Sequence, residues 1–240
     1  MFFSCNDASI YYEEYGRENT QTMILLHGNS EDHTYFRYQI AHFQEHYHVY
    51  ALDTRGHGRS TPGKRGLDFD LLADDLHEFL VKKQPGKVIL LGFSDGGNIA
   101  ITYALKYPRQ VEIMILNGAN LWPQGMEPYA YRSTIHGYRV LSALAPHWKQ
   151  AQQRREIFGL MVHHPHFSTE ELKVLRMPIL VIAGEHDMIR REHTQAIAKA
   201  LPNSRLVIMK KADHFCARRC PVRFNRIVDQ FLKKVRKEDE

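Results

Sequence analysis

Six short apolar runs recur along the chain with helix-patterned stretches between them, and this alternation limits the possible folds more than any other feature. The runs are Met23–Leu26, Val49–Leu52, Val88–Leu91, Ile113–Leu116, Ile179–Ala183 and Leu206–Met209. They are rich in Val, Ile and Leu and apolar on both faces, as strands covered by helices on either side must be. Between them, Leu72, Leu76, Phe79 and Leu80 share the face of a helix running to about Lys83, and Ile197, Ala200 and Leu201 mark another. Phe224, Ile227, Val228, Phe231, Leu232 and Val235 stripe a last helix. Strand and helix in alternation predict an α/β fold, a mostly parallel central sheet flanked by helices and joined by right-handed crossovers. Phe2–Cys5 and Ser9–Tyr15, on either side of Asn6-Asp7, predict an antiparallel hairpin at the sheet edge.

One stretch breaks the rhythm. Tyr129–Leu144 and Trp148–Val162 read as two helices separated by Ala145-Pro146, and Ser168 with Glu171 offers a capping box for a short third. The expected organisation is therefore a core made of residues 1–121 and 175–240, with a small helical cap, 122–174, inserted between sheet strands. Trp122, Tyr129, Tyr131, Tyr138 and Trp148 lie in or beside it. They either line an apolar substrate pocket or pack the cap onto the core.

Composition excludes several classes. At 240 residues and 43% hydrophobic content, the chain can bury a core without disulfide or metal staples, and it is not intrinsically disordered. No apolar run approaches the ~18–20 residues of a membrane span. Met1–Asp7 has neither a basic segment nor a long apolar stretch, so no signal peptide is expected. The formal charge of +5 arises from 32 Lys+Arg against 27 Asp+Glu, with much of the excess near the C-terminus. Without interleaved aromatics, that stripe reads as a solvated helix face, and neither a nucleic-acid nor a membrane partner is expected. Three cysteines, Cys5, Cys216 and Cys220, show no metal spacing and suit a reducing, cytoplasmic setting. The cluster His163-His164-Pro165-His166 reads as surface, and no metal or cofactor is expected.

The chemistry concentrates at strand ends. Gly92-Phe93-Ser94-Asp95-Gly96-Gly97 follows the run Val88–Leu91 and precedes the helix-like Asn98–Lys106. This is Gly-x-Ser-x-Gly in a strand–turn–helix context, where a nucleophile on a tight turn requires small neighbours two residues away. The following helix aims its N-terminal N–H groups at the serine. An orienting acid is expected after a later strand, where Gly184-Glu185-His186-Asp187 stands, and a base after the next, at Asp213-His214. Ser94, Asp187 and His214 are thus in the order nucleophile, acid, base, each at the carboxyl end of its own strand. The backbone N–H groups of Asn29, in His27-Gly28-Asn29, and of Asp95 are the expected oxyanion donors. His27 reads as structural.

With Asp53-Thr54-Arg55-Gly56-His57-Gly58-Arg59-Ser60 added, these motifs resemble the α/β-hydrolase-fold enzymes over nearly the whole chain. Within that family the chain is similar to small, helically capped esterases and carbon–carbon bond hydrolases. Its Ser-Asp-Gly-Gly turn resembles that of amino-acid-ester hydrolases related to biphenyl-degrading enzymes. The resemblance implies supporting roles for Asp53 and Arg55, and it favours Asp187 over its neighbour Glu185 as the acid. Asp213 departs from the family, which commonly has Gly before the histidine. The implied function is a serine hydrolase that cleaves a small carboxylic ester through an acyl-enzyme. A carbon–carbon bond hydrolase acting on a diketone-like substrate is the alternative enzyme, and a non-catalytic binding protein on the same fold is the alternative from another class. Asp95 poses a problem of its own, because a carboxylate beside the nucleophile repels the developing oxyanion. It must turn towards the helix N-terminus, pair with an Arg or Lys, or await a cationic group on the substrate.

Overall fold

The computed structural model describes residues 1–5 and 7–238. Its strands are β1 (Phe2–Cys5), β2 (Ala8–Tyr15), β3 (Thr22–Leu26), β4 (His48–Leu52), β5 (Val88–Phe93), β6 (Val111–Asn117), β7 (Ile179–His186) and β8 (Ser204–Asp213). They form one sheet in the order β1-β2-β4-β3-β5-β6-β7-β8. The first two are antiparallel to each other, β2 runs antiparallel to β4, and all later neighbours are parallel. Every expected strand is present, and most extend by a few residues beyond their apolar runs. The hairpin sits at the sheet edge, although Asn6 of its turn lies outside the described residues.

The helices are α1 (Arg37–Phe43), α2 (Phe69–Lys83), α3 (Asp95–Lys106), α4 (Pro128–Leu144), α5 (Lys149–His163), α6 (Thr169–Leu172), α7 (Arg191–Ala200), α8 (Cys216–Arg219) and α9 (Pro221–Glu238). Local chemistry sets several ends. The Asp68 side chain accepts from Leu71 N at the start of α2, and Ser168 and Glu171 form the expected capping box on α6. α1 and α8 were not foreseen, since neither is long enough to show a full amphipathic period.

The pleat divides the buried strand residues between two cores. Ile24, Leu26, Leu90 and Leu116 meet α2, α3 and α7 on one face, through residues such as Phe79, Tyr103 and Ile197. Met23, Leu25, Ile89 and Leu91 meet α1 and α9 on the other, through residues such as Phe43, Phe224 and Phe231. Each such side chain contributes roughly 1.5–3 kcal/mol by leaving water. The basic C-terminal segment is the outer face of α9, whose apolar stripe is buried.

The strand order reverses at β3. The chain leaves β3 towards β4 on one side and leaves β5 towards β6 on the other, so the connections after β3 and β5 diverge and open a crevice at their carboxyl ends. The helical insertion lies between β6 and β7. Its second helix, α5, buries Ala151, Ile157 and Leu160, whereas α4 fully buries only Thr134 and rests mainly on α5. Gln153 of α5 donates to the Gly56 carbonyl (2.9 Å), joining the insertion to the loop after β4. Among the described residues, no helix is long and apolar enough to cross a membrane.

That loop is held from below by a buried ion-pair network. Arg55, fully buried, donates from Nε and Nη2 to the two oxygens of Asp75 on α2 (both 2.7 Å) and from Nη1 to Asp7 (2.7 Å). Asp7 also accepts from Lys64 N (2.5 Å), and these contacts hold its carboxyl down at about 2. Removing one partner strands a guanidinium out of reach of water. Asp75→Ala is expected to cost about 3–5 kcal/mol in urea unfolding, and the apolar double replacement Arg55→Met with Asp75→Leu clearly less. Equal losses would show that packing, not charge, anchors the loop.

Candidate active site

Ser94 occupies the turn between β5 and α3 with φ 53 and ψ −118, a conformation costing about 1–3 kcal/mol for a residue bearing a β-carbon. The surroundings enforce it. Ser94 N donates to the Asn117 carbonyl of β6 (2.8 Å), and the Ser94 carbonyl accepts from Gly97 N (2.8 Å) and Asn98 N (3.1 Å) as α3 begins. A β-carbon on Gly92 would run into the Gly96 backbone, and one on Gly96 into the Leu26 carbonyl of β3. The expected small neighbours are therefore steric necessities. The helix follows without a side-chain cap, leaving its first N–H groups, Asp95 N among them, directed at the turn. Asn29 N, in the loop after β3, likewise donates to no acceptor among the described residues.

His214 follows β8, and its Nδ1 lies 2.6 Å from Asp187 Oδ1. Both side chains are almost fully buried, at 5% and 3% exposure. Asp187 also accepts from Ile189 N (3.0 Å) and Gly184 N (3.2 Å), so its carboxylate is surrounded by donors. The His214 ring rests on Phe93, the residue before Ser94, with centroids 4.8 Å apart. Gly118, at φ 66, leaves space for it, since a β-carbon there would stand 2.7 Å from His214 Cε1. Glu185, the rival acid, instead accepts from Lys211 N (2.8 Å). Asp213 accepts from Phe215 N (3.0 Å) and pairs with Arg219, which turns it away from the imidazole. No hydrogen bond joins Ser94 Oγ to His214.

His27 is 1% exposed and purely structural in its contacts: Nδ1 donates to the Gly28 carbonyl (2.8 Å) and Nε2 accepts from Thr54 N (3.0 Å). Burial lowers its pKa to about 4, so the acceptor nitrogen stays unprotonated. Asp32, His33 and Asp53 hold three potential ligand atoms within 4.8 Å of one another. Three of their four carboxylate oxygens already accept hydrogen bonds: Asp53 from His33 N and Arg59 N, and Asp32 Oδ1 from Thr34 N. The cluster fixes the turns around the site.

The Asp95 side chain, in the first turn of α3, does not find the Arg or Lys partner that was one of the arrangements open to it. It is 6% exposed and meets no Arg or Lys. One oxygen accepts from the Asn29 side-chain amide (2.8 Å), and the other receives no hydrogen bond among the described residues. Burial raises its pKa from 3.8 to about 6, against smaller opposing effects of Asn29 and the nearby His214. The Asn29 amide spends its second proton on the Ile157 carbonyl of α5 (2.7 Å), and its oxygen accepts from Ser30 Oγ (2.9 Å). This fork between the turn and the insertion had no sequence signal, because an Asn after His-Gly announces only a backbone donor.

The five aromatics of the insertion are not gathered together. Tyr129 and Trp148 are 85% and 60% exposed. Tyr131 accepts from Gln124 at the surface, Tyr138 packs edge-on against His163, and Trp122 stands edge-on to His193 beside the main core. A cavity of about 510 Å³ does open beside the site, between α5 and the loops after β3 and β4, but its wall holds Glu31, Gln150, Arg154 and Phe158 rather than these rings.

An eight-stranded, mostly parallel sheet with helices on both faces, and a serine on a tight turn after its central strand, defines an α/β-hydrolase. The chain belongs to the serine aminopeptidase S33 family, whose model matches residues 17–167. It is 27% identical to serine hydrolase BPHL of Mus musculus over 254 residues, covering 95% of this chain and 84% of that one. It is 25% identical to AB hydrolase superfamily protein YisY of Bacillus subtilis, covering 93% and 95%. The same fold is seen in an esterase from Exiguobacterium antarcticum, at TM-score 0.82 and 22% identity over 97% of this chain and 99% of that one. The enol-lactonase from Burkholderia xenovorans LB400 matches at TM-score 0.82 and 19% identity over 97% and 100%. The chain is accordingly a hydrolase, which sets aside the non-catalytic reading.

The raised Asp95 carboxyl has a thermodynamic consequence. It ionises later in the folded chain than in the unfolded one, so its contribution to folded stability falls as pH rises between about 4 and about 6 and is level above. Asp95→Asn keeps an acceptor for Asn29 and removes that penalty. The variant is expected to be more stable than the parent at pH 8, by roughly 2–3 kcal/mol, with the gap closing below pH 4. Urea unfolding across this range checks it, and a gap independent of pH would mean that Asp95 ionises as freely as an exposed carboxyl.

Proposed function

We propose that the chain is a serine hydrolase of small carboxylic esters that works through an acyl-enzyme. The observation carrying this reading is the short Asp187–His214 bond placed against Phe93, one residue from a serine in a strained turn. Ser94 Oγ attacks the ester carbonyl while His214 Nε2 takes its proton. Asp187 holds Nδ1 protonated and stabilises the imidazolium that forms. The carbonyl oxygen, now anionic, accepts from Asn29 N and Asp95 N, which have no other acceptor among the described residues. His214 returns the proton to the leaving alcohol, then activates a water that releases the acid. The cycle as written calls on no metal or cofactor.

Asp95 narrows the acyl group. A buried carboxylate with one oxygen free of donors and no Arg or Lys partner among the described residues is suited to the ammonium of an α-amino ester. Above about pH 6 it is ionised and an ammonium neutralises it, removing the charge that would otherwise oppose the oxyanion.

Two measurements test these assignments. Ser94→Ala and His214→Ala should each lower turnover by up to ~10⁶ and leave the fold intact. A fluorophosphonate probe should label the parent and not Ser94→Ala; near-normal esterase activity in that variant removes Ser94 as nucleophile. Asp95→Asn should lower kcat/KM for α-amino esters about a hundred-fold more than for neutral esters of the same shape, the worth of a desolvated charge pair. An equal fall for both would leave Asp95 with a local structural role only.

A further inference from the structure

The cavity of about 510 Å³ next to the site is within the size range of small-molecule pockets. Its position ties it to the reaction centre. Ile157 forms part of its wall, and the Ile157 carbonyl accepts from the same Asn29 amide that holds Asp95. The Asn29 side chain therefore bridges the wall of the cavity and the residue that follows Ser94. Glu31, on the loop side, also lies within electrostatic reach of His214, the group that must protonate the departing alcohol.

The lining is polar and carries both charges. Ser30 and Glu31 line it from the loop after β3, and Gln150 and Arg154 from the first turns of α5, with Ile157 and Phe158 as its apolar side chains. Glu31 is incompletely paired. Its Oε1 stands 3.7 Å from Arg218 Nη1, beyond hydrogen-bond length, and its Oε2 is buried without a donor among the described residues. Burial raises its carboxyl to about 7, so it can accept or donate near neutral pH. The terminal carboxylate torsion is soft, and either oxygen can turn to meet a ligand.

These groups discriminate among ligand chemistries. An alkyl group would strip water from Glu31 and Arg154 and return no hydrogen bond. A cation would be drawn to Glu31 but repelled by Arg154 and by Arg218 on its flank, and an anion would meet the reverse. A neutral ligand with several hydroxyls satisfies both walls at once. It donates to Glu31, accepts from Arg154, does both with Gln150 and Ser30, and lays a C–H face on Phe158.

We infer that this cavity is the leaving-group subsite, and that it takes a neutral polyhydroxylated alcohol resembling a sugar. The inference rests on the ester-hydrolase reading above and adds the identity of the alcohol. Glu31 and Arg154 are its specificity-determining residues.

The test compares two butyrates of similar shape, methyl 6-O-butyryl-glucopyranoside and cyclohexylmethyl butyrate. The parent enzyme should favour the sugar ester in kcat/KM by about ten-fold or more, as one charge-assisted hydrogen bond would give. The preference should lie mainly in KM. Glu31→Ala and Arg154→Ala should each bring the ratio close to one, whereas a merely structural role would lower both esters in proportion and leave the ratio in place. A parent ratio at or below one, or a ratio that neither variant moves, overturns the subsite. Calorimetric titration of Ser94→Ala with the same two esters decides the matter without turnover. Tighter binding of the sugar ester, lost when Glu31→Ala is added, supports the subsite even if no ester is hydrolysed and the serine-hydrolase reading itself has failed. Equal binding of the two esters rejects it.

Discussion

The backbone of Ser94 is the constraint around which the rest of the molecule is arranged. A positive φ at a residue with a β-carbon does not persist unless neighbouring structure over-determines it. Here the Asn117 carbonyl of β6 takes its N–H, α3 takes its carbonyl, and the Leu26 carbonyl presses so close that only glycine fits at position 96. Three strands and a helix thus converge on one residue. β5 sits between β3 and β6 in the sheet, and both neighbours supply the contacts that hold the turn. Parallel pairing gives these strands a common carboxyl edge, so the loops that bring Asn29, Asp187 and His214 arrive at the same side.

Asn29 contributes more than a main-chain donor. Its side-chain amide has two protons, one given to Asp95 and one to the Ile157 carbonyl of the insertion, and the distances of 2.8 and 2.7 Å leave little slack. The ionisation of Asp95 and the seating of α5 are therefore linked through a single planar group. Gln153 on Gly56 makes a second attachment one turn earlier along α5. Between these two points lies the polar cavity, whose far wall depends on the loop that Arg55 fixes from beneath. The ion pairs of Arg55 thus lie away from Ser94 yet hold the loop whose Gly56, His57 and Gly58 line the cavity.

Much of this was legible in the sequence because it depends on one-dimensional rules. Strands buried on both faces announce themselves as unbroken Val, Ile and Leu, and the turn at Ser94 requires glycines at fixed spacing. Asp187 and His214 were legible because each falls immediately after a strand. The contacts of Asn29, Glu31 and Asp95 were not legible, since each pairs with residues distant along the chain: Asn29 with Ile157, and Glu31 with Arg218. Short helices such as α1 escaped notice because seven residues give too few repeats to establish a period. The aromatics of the insertion stayed open between pocket lining and packing for a related reason. Periodicity does not say which face of a lightly packed helix turns outward; Tyr129 and Trp148 face water, while Trp122 packs against the core.

That light packing bears on how such a chain can change over generations. Of the seventeen residues in α4, only Thr134 is fully buried. Substitutions on a helix so little committed to the interior typically shift stability by less than about 0.5 kcal/mol. The sheet has no such freedom, since β3 and β5 are buried from end to end and Gly92 of β5 stands against backbone. The molecule is therefore divided into a part where nearly every residue is pinned and a part where drift is nearly free. The free part leans on α5, the helix that walls the cavity. Change can therefore accumulate in α4, beside the helix that walls the cavity, while the turn at Ser94 and the glycines around it stay as they are.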